Sequence, residues 1–279
     1  MNKKINIAID AMGGDSSPNK TIEGVKIFIE KNAKNNDFIL NLFGNEIEIE
    51  KILKEKKIQS NLIKITNTNS VVSDDDTPLT AIKSSKDTSM WKSIRSQIDG
   101  DSDISLSAGN TGVLLVISKM ILKMMKNINK PALAGLWPNK KGLSIVLDLG
   151  ANIECDSKNL IDFAELGSAL SKSLSPDETP KVALLNIGSE EIKGTDILKD
   201  AFKKLKDLSS ENNFIFNGYI EANNLMNGDS NVIITDGFTG NIALKTAEGT
   251  AKFITTNLKR YLTEHFFSKI SLIFSYFSL

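Results

Sequence analysis

The stretch Asp103–Met120 reads DISLSAGNTGVLLVISKM and changes its pattern in the middle. Residues suited to a β-strand run into Gly109, Asn110, Thr111 and Gly112, after which an apolar helical pattern begins at once. A short strand that passes directly into a helix is the repeating unit of α/β folds with a mostly parallel sheet. This one stretch therefore predicts the fold class.

The same succession of a short apolar run and a longer amphipathic stretch recurs along the chain, as expected for parallel strands joined by crossover helices. The predicted strands are Ile5–Asp10, Phe38–Gly44, Leu62–Asn67, Asp103–Ser107, Leu143–Gly150, Lys181–Gly188 and Ser230–Gly237. At 279 residues and 41 % hydrophobic composition, the chain can bury a large core. We expect one α/β domain over residues 1–279.

Five of these apolar runs end in the same way. Asp10, Ser107, Asp148, Asn186 and Asp236 each end a run, and each has a glycine within one to three residues. In an open parallel sheet the carboxyl ends of the strands share one edge, where ligands bind. We therefore expect the five loops to form a site at one edge, although turning and capping alone would explain any single loop.

Two of the loops nearly repeat, because Gly109–Gly112 and Gly237–Gly240 both read Gly-x-Thr-Gly between strand and helix. The glycines allow positive φ and close approach by a ligand, and the threonine offers a hydroxyl and a helix cap. The N-terminus of a helix presents unpaired N–H groups with partial positive charge, which suits a phosphate or an oxyanion. No loop has the spacing of a Walker A or G-x-G-x-x-G motif, so nucleotide binding is not supported.

Composition excludes several classes of protein. The 34 basic and 34 acidic residues cancel, so overall charge gives no case for nucleic-acid binding. One cysteine, Cys155, and one histidine, His265, allow neither a disulfide framework, nor a zinc cluster, nor a Ser-His-Asp triad. The single cysteine fits a reducing cytosol, and no apolar window is long enough to span a membrane.

Seven segments together are similar to the bacterial phosphate acyltransferase family. In order from Ile7 to about Lys252 they are IAIDAMGGDSSP, DDDTPLTAIKSSKDTSMW, SAGNTG, PALAGLWP, VLDLGANIECDSKNLIDFAELGSAL, LLNIGSEEIKG and TDGFTGNIALKTAEG. The resemblance implies conversion of acyl-acyl-carrier-protein and inorganic phosphate to acyl phosphate and free carrier, an early step of phospholipid synthesis. It also implies a fold related to phosphotransacetylases and isocitrate-type dehydrogenases, so we predict a doubly wound, mostly parallel sheet in three layers.

The resemblance further implies how the protein works in the cell. It implies a homodimer without metal or organic cofactor, cytoplasmic and peripherally associated with the membrane. A membrane-bound glycerol-3-phosphate acyltransferase is the implied partner that uses the acyl phosphate. Two alternatives are a short-chain phosphotransacetylase that uses coenzyme A, and a membrane-associated adaptor that binds the carrier protein without turnover.

The proposed chemistry needs donors that hold phosphate and stabilise the oxyanion. We predict that Lys193, in SEEIKG directly after a strand-end loop, is catalytic together with Asn110. The predicted substrate-binding residues are Gly109, Thr111, Gly112, Asn186, Asp236, Gly237, Thr239, Gly240 and Asn241. The carboxylate of Asp236 would repel phosphate, so capping is an adequate alternative for it. Lys193 could equally be a surface lysine paired with Glu190 or Glu191.

Two further segments are predicted from their apolar residues. The run Val113–Lys130 predicts one helix whose lysines form a narrow stripe, and burial in a core, a dimer interface or a lipid surface are all possible for it. The C-terminal stretch EHFFSKISLIFSYFSL is rich in aromatic and aliphatic residues. Members of the family usually continue through a further segment, so we expect that this chain is shortened at its C-terminus.

Overall fold

The computed structural model describes residues 4–32, 37–73, 75–77, 80, 85–209 and 214–264. The chain divides into two compact units, Met1–Asn127 and Ile128–Leu279, each with its own sheet. Periodicity does not show this division, because the strands of both units have the same apolar character. The apolar C-terminal stretch lies outside the described residues from position 265 onward.

The first unit, over its described residues, is built on a parallel sheet with the strand order β3-β2-β1-β4. Its strands are β1 (Ile5–Asp10), β2 (Phe38–Gly44), β3 (Ile63–Asn67) and β4 (Ile104–Leu106). Its helices are α1 (Asn19–Lys31), α2 (Glu46–Glu55), α3 (Ser89–Ile98) and α4 (Thr111–Leu122), with a 3₁₀ turn at Ser85–Asp87. Helices α1 and α2 pack their apolar faces on β2, whereas α3 packs on β1 and β4 and against α4.

Helix α4 is shorter than the helix predicted over Val113–Lys130. It ends at Leu122, because the next residue, Lys123, has a φ of 66° in the left-handed region and breaks the helical path. The predicted lysine stripe does not form on one helix, since the lysines beyond position 119 lie at or past this end. Val113 and Ile117 are fully buried against α3, so the helix contributes to the core of the first unit.

The second unit has the strand order β5-β6-β9-β7-β8 over its described residues. Its strands are β5 (Ala134–Asn139), β6 (Gly142–Leu147), β7 (Lys181–Leu185), β8 (Ile215–Ile220) and β9 (Val232–Ile234). Its helices are α5 (Ser157–Leu174), α6 (Asp196–Leu208) and α7 (Gly237–Glu264), with a 3₁₀ helix at Ala222–Asn227. Strand β5 runs antiparallel to β6, and the other pairs are parallel.

Alternation along the strands sends side chains to both faces of this second sheet. Val232 and Ile234 of β9 pack with α5 and α6 in one apolar cluster, whereas Ile233 packs with α7 and the 3₁₀ helix in another. Helices therefore cover both faces, and the prediction of a doubly wound, three-layer α/β fold with a mostly parallel sheet is confirmed.

Two parts of the prediction differ from the structure. The edge strands β5 and β8 were not predicted, because each contains a glycine and half-exposed residues and is not a continuous apolar run. The five strand-end loops do not share one sheet edge. Asp10 ends and Ser107 follows a strand of the first sheet, and Asp148, Asn186 and Asp236 follow strands of the second. Periodicity identifies a strand but not the strands with which it pairs.

Candidate active site

A large cleft lies at the carboxyl ends of the parallel strands in the second unit. Its volume is about 1430 Å³, beyond the roughly 300–1,000 Å³ of a pocket for a drug-sized ligand. The loops after β6, β7, β8 and β9 all contribute to its lining. Three of the predicted site residues, Asn186, Asp236 and Thr239, line this cleft.

The N-termini of α5, α6 and α7 meet at the cleft. Asp156 caps α5 in a capping box with Asn159, and the hydroxyl of Thr195 accepts the N–H of Leu198 at 3.3 Å to cap α6. All three helices are longer than three turns, so each N-terminus carries the partial positive charge of the helix dipole. The positive helix ends favour an anion in the cleft, whereas the carboxylates of Asp156 and Asp236, which cap α5 and α7, oppose it.

The two Gly-x-Thr-Gly loops are not equivalent in structure. Helix α4 begins at Thr111 and is capped by the preceding Asn110, whose Oδ1 accepts the N–H of Val113 at 3.1 Å. Helix α7 already begins at Gly237. Its first turn is capped by Asp236, whose carboxylate accepts the main-chain N–H and the hydroxyl of the threonine at position 239 at 2.8 and 2.7 Å. In neither loop is the threonine the capping acceptor, contrary to the sequence prediction.

Gly237 and Gly240 are required by the neighbouring loop of the protein. A Cβ on Gly237 would lie 2.6 Å from the carbonyl oxygen of Asn152, and one on Gly240 would overlap the carbonyl oxygen of Asp148. Neither glycine has a positive φ. The main chain of residues 148–152 therefore occupies the space that a side chain at either position would need.

The carboxylate of Asp148 organises this loop. It is fully buried and accepts five hydrogen bonds of 2.7–3.1 Å, from the main-chain N–H groups of Leu133, Gly150, Ala151 and Asn152 and from the side-chain amide of Asn152. Such a set of donors satisfies the buried carboxylate oxygens and fixes the backbone around them. Asp148 therefore builds the loop on which the start of α7 rests.

Asn186 holds the loop that carries Lys193. Its side-chain amide donates to the carbonyl oxygens of Gly188 and Lys193, both at 3.2 Å, and Gly194, with a φ of 91°, packs against its Oδ1. Asn186 is buried, and its Oδ1 has no hydrogen-bond partner in the part of the chain that the structure describes. The amide thus sets the position of the Lys193 backbone.

The Lys193 side chain is exposed, and its neighbours Gly194 and Thr195 line the cleft. Among the residues that the structure describes, no carboxylate lies within 4.0 Å of its ammonium group. Glu191 instead pairs with Lys206 at 3.0 Å. The alternative in which Lys193 is neutralised by Glu190 or Glu191 is therefore not seen in this structure.

The predicted residues of the first unit form a cluster of their own. Ser107 donates to the buried carboxylate of Asp10 at 2.7 Å and accepts the N–H of Gly109 at 3.1 Å. The side-chain amide of Asn110 donates to the carbonyl oxygen of Asp76 at 3.0 Å, while Thr111 and Gly112 are exposed in the first turn of α4. Asn241, in the second unit, is exposed and packs against Gly150.

Cys155 lines the cleft and was not predicted as a site residue. The pKa of the thiol is raised to about 11. Burial is the larger cause, and the negative charge of Asp148 is the second. At neutral pH the group is therefore protonated and a poor nucleophile. The apolar lining, including Trp137 and Met226, was also missed, because in sequence these residues resemble ordinary core residues.

The described ranges contain no group of three or more His, Cys, Asp or Glu side chains placed to bind a metal ion. They also contain no helix long and apolar enough to cross a bilayer.

The fold is that of phosphotransacetylases. A phosphotransacetylase from Streptococcus pyogenes superimposes with a TM-score of 0.65 at 15 % identity, over 90 % of this chain and 83 % of that one. The EutD phosphotransacetylase from Staphylococcus aureus superimposes with a TM-score of 0.61 at 18 % identity, over 89 % and 83 %.

Sequence comparison defines the family. The model of the family described as fatty acid synthesis protein matches residues 5–278. A phosphate acyltransferase from Pelagibacter ubique is 55 % identical over 271 residues, which cover 97 % of this chain and 80 % of the relative. Another from Beijerinckia indica is 38 % identical over 97 % of this chain and 69 % of the relative. The chain belongs to this family and is an acyltransferase.

Proposed function

We propose that the protein transfers an acyl group from the thioester of an acyl-carrier protein to inorganic phosphate, as an early step of phospholipid synthesis. The products are acyl phosphate and the free thiol of the carrier. The observation that carries the proposal is the cleft of the second unit, where three helix N-termini adjoin a large apolar volume. An anion and a hydrocarbon chain therefore both find suitable surroundings in one cavity.

The reaction makes modest demands on acid–base catalysis. A phosphate oxygen attacks the thioester carbonyl carbon, a carbon–oxygen bond forms, and the carbonyl oxygen becomes an oxyanion. When the intermediate collapses, the carbon–sulfur bond breaks and its electron pair leaves with the sulfur. Phosphate is already anionic and a thiol has a pKa of about 8.5, so neither a strong base nor a strong acid is required. Positioning and oxyanion stabilisation carry the catalysis.

We assign the charge stabilisation to Lys193. Its ammonium group has no ion-pair partner among the described residues, and the loop that carries it borders the cleft. Asn186 acts through Lys193, because its amide fixes the backbone of this loop. Thr239–Asn241 are proposed to contribute the positive end of α7, since the N–H groups of Thr239 and Gly240 already donate to Asp236 within that turn.

Asn110 and the loop Gly109–Gly112 are proposed as further donors to phosphate or to the acyl oxygen. Their support is the exposed first turn of α4, where the N–H groups of Thr111 and Gly112 point out of the helix end. The capping role of Asn110 is compatible with this proposal, because it fixes the direction of that first turn.

A free thiol in the cleft raises the question of a covalent acyl-enzyme. The high pKa of Cys155 disfavours attack by its sulfur at neutral pH. Direct attack by phosphate is therefore the simpler route.

We further propose that the protein works as a homodimer at the cytoplasmic face of the membrane and passes acyl phosphate to a membrane-bound glycerol-3-phosphate acyltransferase. The support is α7, whose second half exposes Phe253, Ile254, Leu258 and Tyr261. Ile254, Leu258 and Tyr261 are spaced by four and three residues and so share one face of the helix. A face of this kind is stabilised when a second copy covers it.

The test uses the purified chain, radiolabelled phosphate and either long-chain acyl-carrier protein or acetyl-coenzyme A. We expect labelled acyl phosphate, formed faster from the carrier-bound long chain. A clear preference for acetyl-coenzyme A would make the protein a short-chain phosphotransacetylase. Binding of the carrier without any labelled product would make it an adaptor.

A further inference from the structure

The cleft has two ends of different chemistry. One end lies at the N-termini of α5 and α6 and includes polar groups such as Asn186 and Thr195. The other end is richer in apolar side chains, although the elements that line it, β5, the 3₁₀ helix and α7, also contribute Asn223 and Thr246. We call this end the acyl arm, defined by Trp137, Leu225, Met226, Ala243 and Ala247.

The wall of the acyl arm is fixed by packing and by hydrogen bonds to Met226. Trp137 and Leu225 are 5 % and 3 % exposed and belong to the apolar core of this face of the sheet. The indole N–H of Trp137 donates to the sulfur of Met226 at 3.2 Å, which ties the 3₁₀ helix to β5. The wall is therefore an extension of the core.

The floor of the acyl arm is formed by small side chains of α7. Ala243 and Ala247 are one turn apart and pack on the same core cluster. Because alanine carries only a methyl group, space remains above this part of the helix that a larger side chain would fill.

We propose that the acyl arm holds the hydrocarbon chain of the transferred acyl group, and that Trp137 and Met226 limit the chain length it accepts. This inference rests on the proposed acyl transfer. The five side chains offer no free polar group, since their one N–H already donates to Met226. Against these five side chains the amide groups of a carrier arm would lose hydrogen bonds, whereas methylene groups would not.

The first test fills the arm. Ala247→Leu is compared with wild type and with Ala169→Leu, the same change at an exposed position of α5 outside the cleft. The measurement is the initial rate of acyl-phosphate formation from acyl-carrier proteins that carry saturated chains, octanoyl to stearoyl. We expect Ala247→Leu to lower kcat/KM for the longest chains about tenfold or more relative to the shortest, and Ala169→Leu to keep the wild-type profile.

The second test opens the arm. Met226 is partly exposed, so Met226→Ala is expected to fold, with circular dichroism as the check. We expect its preference to move toward longer chains, opposite to the shift from Ala247→Leu. If wild type, Met226→Ala and Ala247→Leu show the same dependence of kcat/KM on chain length, the proposal that the acyl arm holds the chain is wrong.

The two levels of the proposal fail in different ways. If wild type forms no acyl phosphate from any chain length, the proposed function is wrong, and the acyl arm with it. If wild type is active and Ala247→Leu lowers the rate equally for every chain length, only the acyl arm is wrong. A reversed order, with short chains lost first, would also overturn it.

Discussion

The buried carboxylate of Asp148 binds both the main-chain N–H and the side-chain amide of Asn152, at 2.8 and 2.7 Å. The carbonyl oxygen of Asn152 in turn accepts the N–H of Gly237 at 2.8 Å. A chain of direct contacts therefore runs from the end of β6 to the start of α7, and the wall of the cleft depends on it.

Asp148→Asn tests this organisation. The amide is nearly the same size, but its NH₂ group takes the place of one acceptor oxygen. That NH₂ group would face main-chain N–H groups and could not accept their hydrogen bonds. We expect the free energy of unfolding to fall by about 2–4 kcal/mol, measured by urea denaturation. Asp177→Asn, at an exposed position, is the matched control and should change stability by less than about 0.5 kcal/mol. Equal stability of the two variants would contradict the role of Asp148.

Gly237→Ala and Gly249→Ala should have opposite effects within one helix. Alanine is favoured over glycine in helices by about 1 kcal/mol, and nothing lies within 4 Å of a Cβ at Gly249. At Gly237 the same methyl group would lie 2.6 Å from a main-chain oxygen. We therefore expect a higher melting temperature for Gly249→Ala and a lower one for Gly237→Ala. A higher melting temperature for both variants would show that the loop of residues 148–152 moves aside easily.

Lys193→Ala should remove most of the turnover while the fold is kept. Loss of one group that stabilises the developing oxyanion typically lowers kcat by a factor of about 100 to 1000. Lys203→Ala, on the exposed surface of α6, serves as the control and should remain near the wild-type rate. A near-normal rate for Lys193→Ala, with the thermal melt unchanged, would leave Lys193 as a surface residue.

Cys155 should behave as an inert thiol with a measurable effect on stability at high pH. Because its pKa in the folded protein is raised to about 11, folding favours the protonated form. The contribution of the protonated thiol to the free energy of unfolding is complete below the pKa of the unfolded thiol, and it is lost as pH rises toward about 11. The stability of wild type should therefore fall more steeply over this range than that of Cys155→Ala.

Turnover by Cys155→Ala checks the chemical side of the same prediction. The variant should still form acyl phosphate, because no step uses the sulfur. Complete loss of activity in a folded Cys155→Ala protein would point instead to an acyl-enzyme. Rapid modification of the native wild-type thiol by iodoacetamide at neutral pH would contradict the raised pKa.

The sequence was sufficient to predict strands that form continuous apolar runs. The bounds of Ile5–Asp10 and Phe38–Gly44 agree with those of β1 and β2, because continuous apolar runs between polar loops have few other interpretations. The edge strand β8 was not predicted, because Asn217 and Gly218 interrupt its apolar pattern. Gly218 also has a positive φ.

The candidate site was only partly accessible from sequence. Asn186, Asp236 and Thr239 were predicted because strand ends followed by glycine mark the ligand edge of a sheet, and the structure places all three on one cleft. The acyl arm was not predicted, because Trp137 and Met226 meet only through the pairing of β5 and the position of the 3₁₀ helix. Such contacts depend on tertiary structure, which periodicity does not encode.

The five donors gathered by Asp148 also bear on how fast a substrate can bind. Since these groups are ordered by the protein itself, the loop on which the start of α7 rests already has its shape before a substrate reaches the cleft. We expect association to show a single kinetic phase in stopped-flow measurements, limited by encounter and by the release of water from the cavity.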